Sequence, residues 1–184
     1  MLFSNFLPLD RGLAGERSAV LSAITADFQT AFPGLRFELR LDCRVINAQA
    51  IVLDGKPSVL VYGGLALHPT LAEASLTFVF LHEAGHHLGT GPRSPYNVTL
   101  ACDCIADQWA TTQGAQTLLR NTGRRLQIEQ ALDELHCLMS ESEAAGPSSS
   151  QNVPLPCWNR CWLRRRQALG ASLTSRPERC ELLL

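Results

Sequence analysis

Three side chains near the middle of the chain have the types and the spacing to bind a metal ion and move a proton. In the stretch "FVFLHEAGHHLGTGP", residues 78–92, His82 and His86 stand four apart. On a helix both imidazoles then leave one face, about one turn from each other. That placement suits two positions of a tetrahedral zinc site. Glu83, next to the first imidazole, points toward the same cleft, where it can accept a proton from a water activated by the metal. Imidazole and carboxylate groups in so apolar a run are costly without partners. The pattern therefore asks for an ion or for a dedicated set of hydrogen bonds.

A catalytic zinc needs a third protein ligand and an open position. The stretch "LACDCIADQWA", residues 100–110, offers Asp103, seventeen positions after His86, and Asp107 four later. HExxH followed by such a segment resembles the gluzincin group of zinc metallopeptidases, in which a second helix bears Glu-x-x-x-Asp. "CIADQWA" is similar to the E-x-x-A-D-x-aromatic-A segment of ImmA/IrrE-like and related metallopeptidases. "VYGGLALHP" is similar to the edge-strand segment that precedes their active-site helix. The resemblance covers about residues 58–115. It implies His82, His86 and Asp103 as zinc ligands, Glu83 as general base, and Asp107 as the outer carboxylate that orients a ligand histidine. It also implies hydrolysis of peptide bonds in a protein or peptide substrate, more in the manner of an endopeptidase than an exopeptidase. The alternative is a catalytically inactive zincin-fold protein that keeps the metal and acts as a binding or regulatory module. An accidental HExxH in a purely structural protein is the third reading.

The departure from the pattern is Asp103, where the group has glutamate. Aspartate reaches one methylene less, so the second helix must come about 1.3 Å closer to the metal. Ala106, Ala110 and Gly114 share a face with the two aspartates, and small residues permit such an approach. The strand "SVLVYGGL", residues 58–65, is expected to wall the cleft as an edge strand to which an extended peptide adds. Tyr62, Gly63, Gly64 and His68 are the substrate-binding candidates on it and just after it. A strand end followed by a glycine turn, with His68 in a structural loop, is the competing reading. His87 lies about 100° around the helix from His86, which puts it outside the cleft.

These groups must be positioned by a small scaffold. Apolar residues from Leu13 to Phe32 keep helical spacing up to "PG". "LRFELRLD" alternates as a half-exposed strand, and two β-rich runs flank "DGKP" as a hairpin. Thr70 and Glu73 form a capping-box pattern for a helix over 71–88, with Gly89 or Gly91 as a left-handed terminator and Pro92 beyond. Further helices are expected over 98–119 and 127–140. The fold class is α+β: a small zincin-like domain over residues 1–140, with a mostly antiparallel sheet, an active-site helix and a ligand-bearing helix. Residues 141–156, rich in Ser and Pro, read as a linker. Residues 157–184 read as a cysteine- and arginine-rich segment packed on the domain.

Sixteen basic and 17 acidic residues give a net charge of −1, which removes any global attraction to nucleic acid or an anionic membrane. No run reaches the roughly 18 apolar residues of a membrane span. The N-terminus is a poor leader, which favours the cytoplasm; a trimmed leader would leave the same start and allow export. The seven cysteines are at 43, 102, 104, 137, 157, 161 and 180. They leave buried thiols, disulfides from the tail to the second helix, and a C-x-C plus C-x-x-x-C metal site open. Trp158 and Trp162 with their arginines suit a helix burying its rings more than a nucleic-acid surface. Oligomeric state is not legible.

Overall fold

The structure, a computed structural model, describes residues 2–6 and 11–144. The expected tail segment 157–184, with Cys157, Cys161 and both tryptophans, lies outside the described residues. So does most of the expected linker, although residues 141–144 belong to the last helix. In chain order the elements are β1 (Leu2–Phe6), α1 (Arg11–Ala31), β2 (Arg36–Arg40), β3 (Val45–Leu53), β4 (Lys56–Tyr62) and the short α2 (Gly63–Ala66). Then follow α3 (Glu73–Leu88) and α4 (Asp103–Trp109), a π-helical turn (Ala110–Gly114), α5 (Ala115–Thr122) and α6 (Ile128–Ala144). The chain is an α+β domain.

The sheet is mixed, in the order β1-β3-β4-β2. Two of its pairings, β1 with β3 and β3 with β4, are antiparallel, while β2 runs parallel to β4. The β3–β4 hairpin turns at Asp54 and Gly55, which both have positive φ, the type I′ geometry that "DG" favours. β4 is therefore an interior strand. It pairs with β2 on one side and β3 on the other, so it has no edge to which a peptide could add. The expectation of an edge strand at residues 58–65 is corrected by this order.

The helices earn their places by burial. Phe28 of α1, Phe37 of β2, Val59 and Val61 of β4, and Phe78, Phe80 and Leu81 of α3 share one core with Leu132, Leu135 and Leu138 of α6. Strand alternation puts Val59 and Val61 on the face toward α3. The link into α3 is held from α1, where the Arg17 guanidinium donates to the carbonyls of Ala66, His68 and Leu71.

The start of α3 departs from the sequence expectation. The helix begins at Glu73, its N-cap is Ala72, and no side chain of the cap bonds the first turn. Thr70 is therefore not the N-cap of this helix, which falls two residues later. Instead the Glu134 carboxylate of α6 accepts from the Ala72 N–H at 2.8 Å and from the Ser75 hydroxyl, filling the role of a cap from a distant part of the chain. Burial pushes the Glu134 carboxyl up, but bonds from Ser75, Ala72 and Gln130 outweigh it and hold the group below its usual value.

Candidate metal centre

α3 delivers three of the expected residues to one place. His82 and Glu83 are 2 % and 3 % exposed, and His86 is partly buried. Donor atoms of His82, Glu83 and His86 all lie within 4.8 Å of one another. The rings of His82 and His86 stand 4.6 Å apart and nearly perpendicular, at 82°.

The far nitrogen of each ring is tied down. His82 Nδ1 donates to Asp107 Oδ1 at 2.7 Å, and His86 Nδ1 donates to the Ala101 carbonyl at 2.7 Å. Both acceptors lack a proton to give, so each bond puts the ring hydrogen on Nδ1 and leaves an Nε2 lone pair facing the site. The two Nε2 atoms are 3.1 Å apart. Two lone pairs converging at that distance repel unless a cation sits between them. Burial, and then the proximity of the His82 ring, hold the His86 imidazole below its usual pKa against Glu83, Ala101 and Asp103, which favour the cation. The ring is accordingly neutral near pH 7, the form that ligates metal.

Asp103 closes the triangle. Its Oδ1 lies 3.6 Å from His82 Nε2 and 3.8 Å from His86 Nε2. A triangle with sides of 3.1, 3.6 and 3.8 Å has a circumradius of about 2.0 Å, matching the ~2.0–2.2 Å of bonds from imidazole nitrogen and carboxylate oxygen to a divalent ion. The three donor spacings are compatible with such an ion. Asp103 is also the solvent side of the site, with a side chain 73 % exposed against 5 % for Asp107.

α4 reaches this position because it crosses α3 at very close range. A Cβ built on Gly85 would lie 2.6 Å from the Ala106 carbonyl oxygen, so only glycine allows the crossing. The sequence marks Ala106 and Ala110 as small, and both are fully buried. Gly85, where an added Cβ would meet the α4 backbone, is left unmarked by the sequence reading. A glycine inside an apolar helix costs about 1 kcal/mol relative to alanine, and that cost is the signal that could have found it. The second helix starts at Asp103, not near 98. Residues 93–101 form a tight excursion instead, with an Arg93–Ala101 bridge and turn bonds from Ser94, Asn97 and Thr99. Ala101 at its base both donates its N–H to the His86 carbonyl and accepts from the His86 ring. Gly89 ends α3 as expected but has φ −66°. Its lack of a side chain matters because a Cβ would press on Gly85 O and Ile105.

The four substrate-binding candidates are not brought to this centre. Tyr62 alternates with Val61, so it occupies the sheet face away from α3, and its hydroxyl donates to Gln49 Oε1. Gly63 and Gly64 are buried in α2, where a Cβ would strike the backbone of Leu41 and Arg44. They serve internal packing and offer no approach to a peptide. His68 is buried in the link to α3, its Nδ1 accepting from the Thr70 N–H. His87, expected outside the cleft, donates Nε2–H to the Ser58 carbonyl of β4. Cys102, just ahead of Asp103, is disulfide-bonded, and Cys43 and Cys137 are free thiols. No helix among the described residues is long and apolar enough to cross a membrane. Compared with protein-family models, with curated proteins and with solved structures, the chain matches none.

Proposed function

We propose that the protein is a zinc-dependent metallopeptidase that hydrolyses peptide bonds in a protein or peptide substrate. The observation that carries the reading is the triangle of His82 Nε2, His86 Nε2 and Asp103 Oδ1, with both histidine tautomers fixed by Asp107 and Ala101. Zinc bound there would polarise a peptide carbonyl and bring the pKa of water toward ~7. His82, His86 and Asp103 hold the ion. Asp107 and the Ala101 carbonyl keep the two rings aimed. Glu83, buried beside the ligands, takes the proton from the attacking water and returns it to the leaving amine. The exposed side of Asp103 is where substrate enters. The purified protein is expected to contain stoichiometric zinc and to cleave unfolded casein. A chelator should abolish cleavage, and zinc should restore it. Absence of zinc from protein expressed in zinc-supplemented medium sinks the proposal.

A second reading draws on Glu83 lying in the same group of donors as the two histidines. If Glu83 rather than Asp103 is the third ligand, no base remains and the domain is an inert metal-binding module. Asp103→Ala separates the two, because only the peptidase reading expects it to lose zinc.

Asp107 gives a further test. Replacing it with alanine frees His82 Nδ1 from its 2.7 Å bond and lets the ring turn or take the other tautomer. Zinc affinity should fall on the order of 10–100-fold, measured by competition with a chromophoric chelator at pH 7.5. Unchanged affinity would show that Asp107 does not hold the ring.

A further inference from the structure

The aspartate at 103 and the glycine at 85 are one device. We infer that Gly85 is a positioning residue for the metal: it sets the distance between α3 and α4 to the reach of an aspartate, and a glutamate at 103 would be mismatched to that distance. This rests on the metal site proposed above.

Three observations meet here. Asp103, with its short side chain, already lies 3.6 and 3.8 Å from the two ring nitrogens, so it needs no extra length. The crossing that brings it there is backbone against backbone, with a Gly85 Cβ falling 2.6 Å from Ala106 O and 2.9 Å from Ala106 Cα. Neither contact is with a flexible side-chain end, so the obstruction cannot be relieved by a rotamer change. Restoring an ordinary separation of 3.4 Å from 2.6 Å requires α4 to withdraw by about 0.8 Å, the difference between the two. A methylene supplies about 1.3 Å of reach. The withdrawal caused by one added methyl group at 85 is thus of the size that one added methylene at 103 can recover. Asp103 opens α4, and Ala106 lies one turn beyond it on the same helix face, so displacement at Ala106 is passed to Asp103 with little loss.

The test is a double-mutant cycle read as zinc affinity, by chelator competition on protein whose folding is checked by circular dichroism. Asp103→Glu alone is expected to bind zinc more weakly than wild type, because the longer side chain overshoots. Gly85→Ala alone should weaken binding on the order of 10–100-fold. The combination of Gly85→Ala with Asp103→Glu should bind more tightly than Gly85→Ala, a rescue that general destabilisation would not produce. Asp103→Glu binding as tightly as wild type or tighter overturns the inference, as does a double variant no better than Gly85→Ala. Asp103 is exposed, so its single variant decides the matter even if Gly85→Ala unfolds. An Asp103→Ala variant with unchanged zinc affinity would instead show that Asp103 is not a ligand, which removes the metal assignment and this inference together.

Discussion

Glu83→Gln is expected to lower peptide cleavage on the order of 10²–10⁴-fold, the usual contribution of a positioned general base, with stoichiometric zinc retained. The substitution keeps the shape of a side chain that is 3 % exposed and leaves His82, His86 and Asp103 untouched. What it removes is the ability to accept a proton. The peptidase proposal assigns that one task to Glu83, so activity should fall while metal content does not. Initial rates on unfolded casein, with zinc measured by elemental analysis on the same preparation, read both quantities at once. A Gln variant that cleaves at the wild-type rate removes Glu83 as base. One that loses its zinc, while Asp103→Ala retains it, makes Glu83 the ligand and favours the inert module.

Local features of this fold were legible because their causes are local. The helical spacing before "PG", the alternation of "LRFELRLD" and the "DG" turn each produced the expected element. The same holds for His82, Glu83 and His86, whose meeting depends only on helix periodicity. The features that were misjudged depend on partners far away in sequence. Nothing near Ala72 announces that a carboxylate from residue 134 will cap α3, so the N-cap expected at Thr70 falls at Ala72 instead. Glu73 is occupied elsewhere, in an ion pair with Arg124. The order of strands is likewise a long-range fact. A run of hydrophobic residues such as "SVLVY" suits an interior strand as well as an edge, and only the parallel pairing of β2 shows which it is. Asp103 is suggested by the resemblance to the gluzincin pattern, but its distance from the rings is set by the crossing of two helices. That crossing is written in Gly85, a residue that the HExxH pattern leaves unspecified.

The scaffold beneath the centre should be as sensitive as the centre itself, and Phe80→Ala measures it. Phe80 is completely buried on α3. Its ring lies 5.1 Å from that of Phe28 on α1 and stacks on Phe37 of β2 at 6.0 Å and 12°. One side chain therefore joins the active-site helix to both the first helix and the sheet. Truncating it removes a large apolar surface and leaves a cavity between elements that cannot close independently. A cost of about 3–5 kcal/mol is expected, a large share of the ~5–15 kcal/mol that stabilises a typical domain. Tm should drop by roughly 6–20 °C for a domain of this size, measured by thermal unfolding at fixed zinc concentration. Phe80 leaves the helix about 200° around from His82, so the ligand face itself is not altered. At a temperature where the variant is still folded, its zinc affinity should remain near that of wild type, in contrast to Asp107→Ala. A fall in Tm below about 2 °C would mean that the three rings do not form the joint between α1, β2 and α3. A folded variant that has lost its zinc would mean that the aromatic core aims the ligands directly.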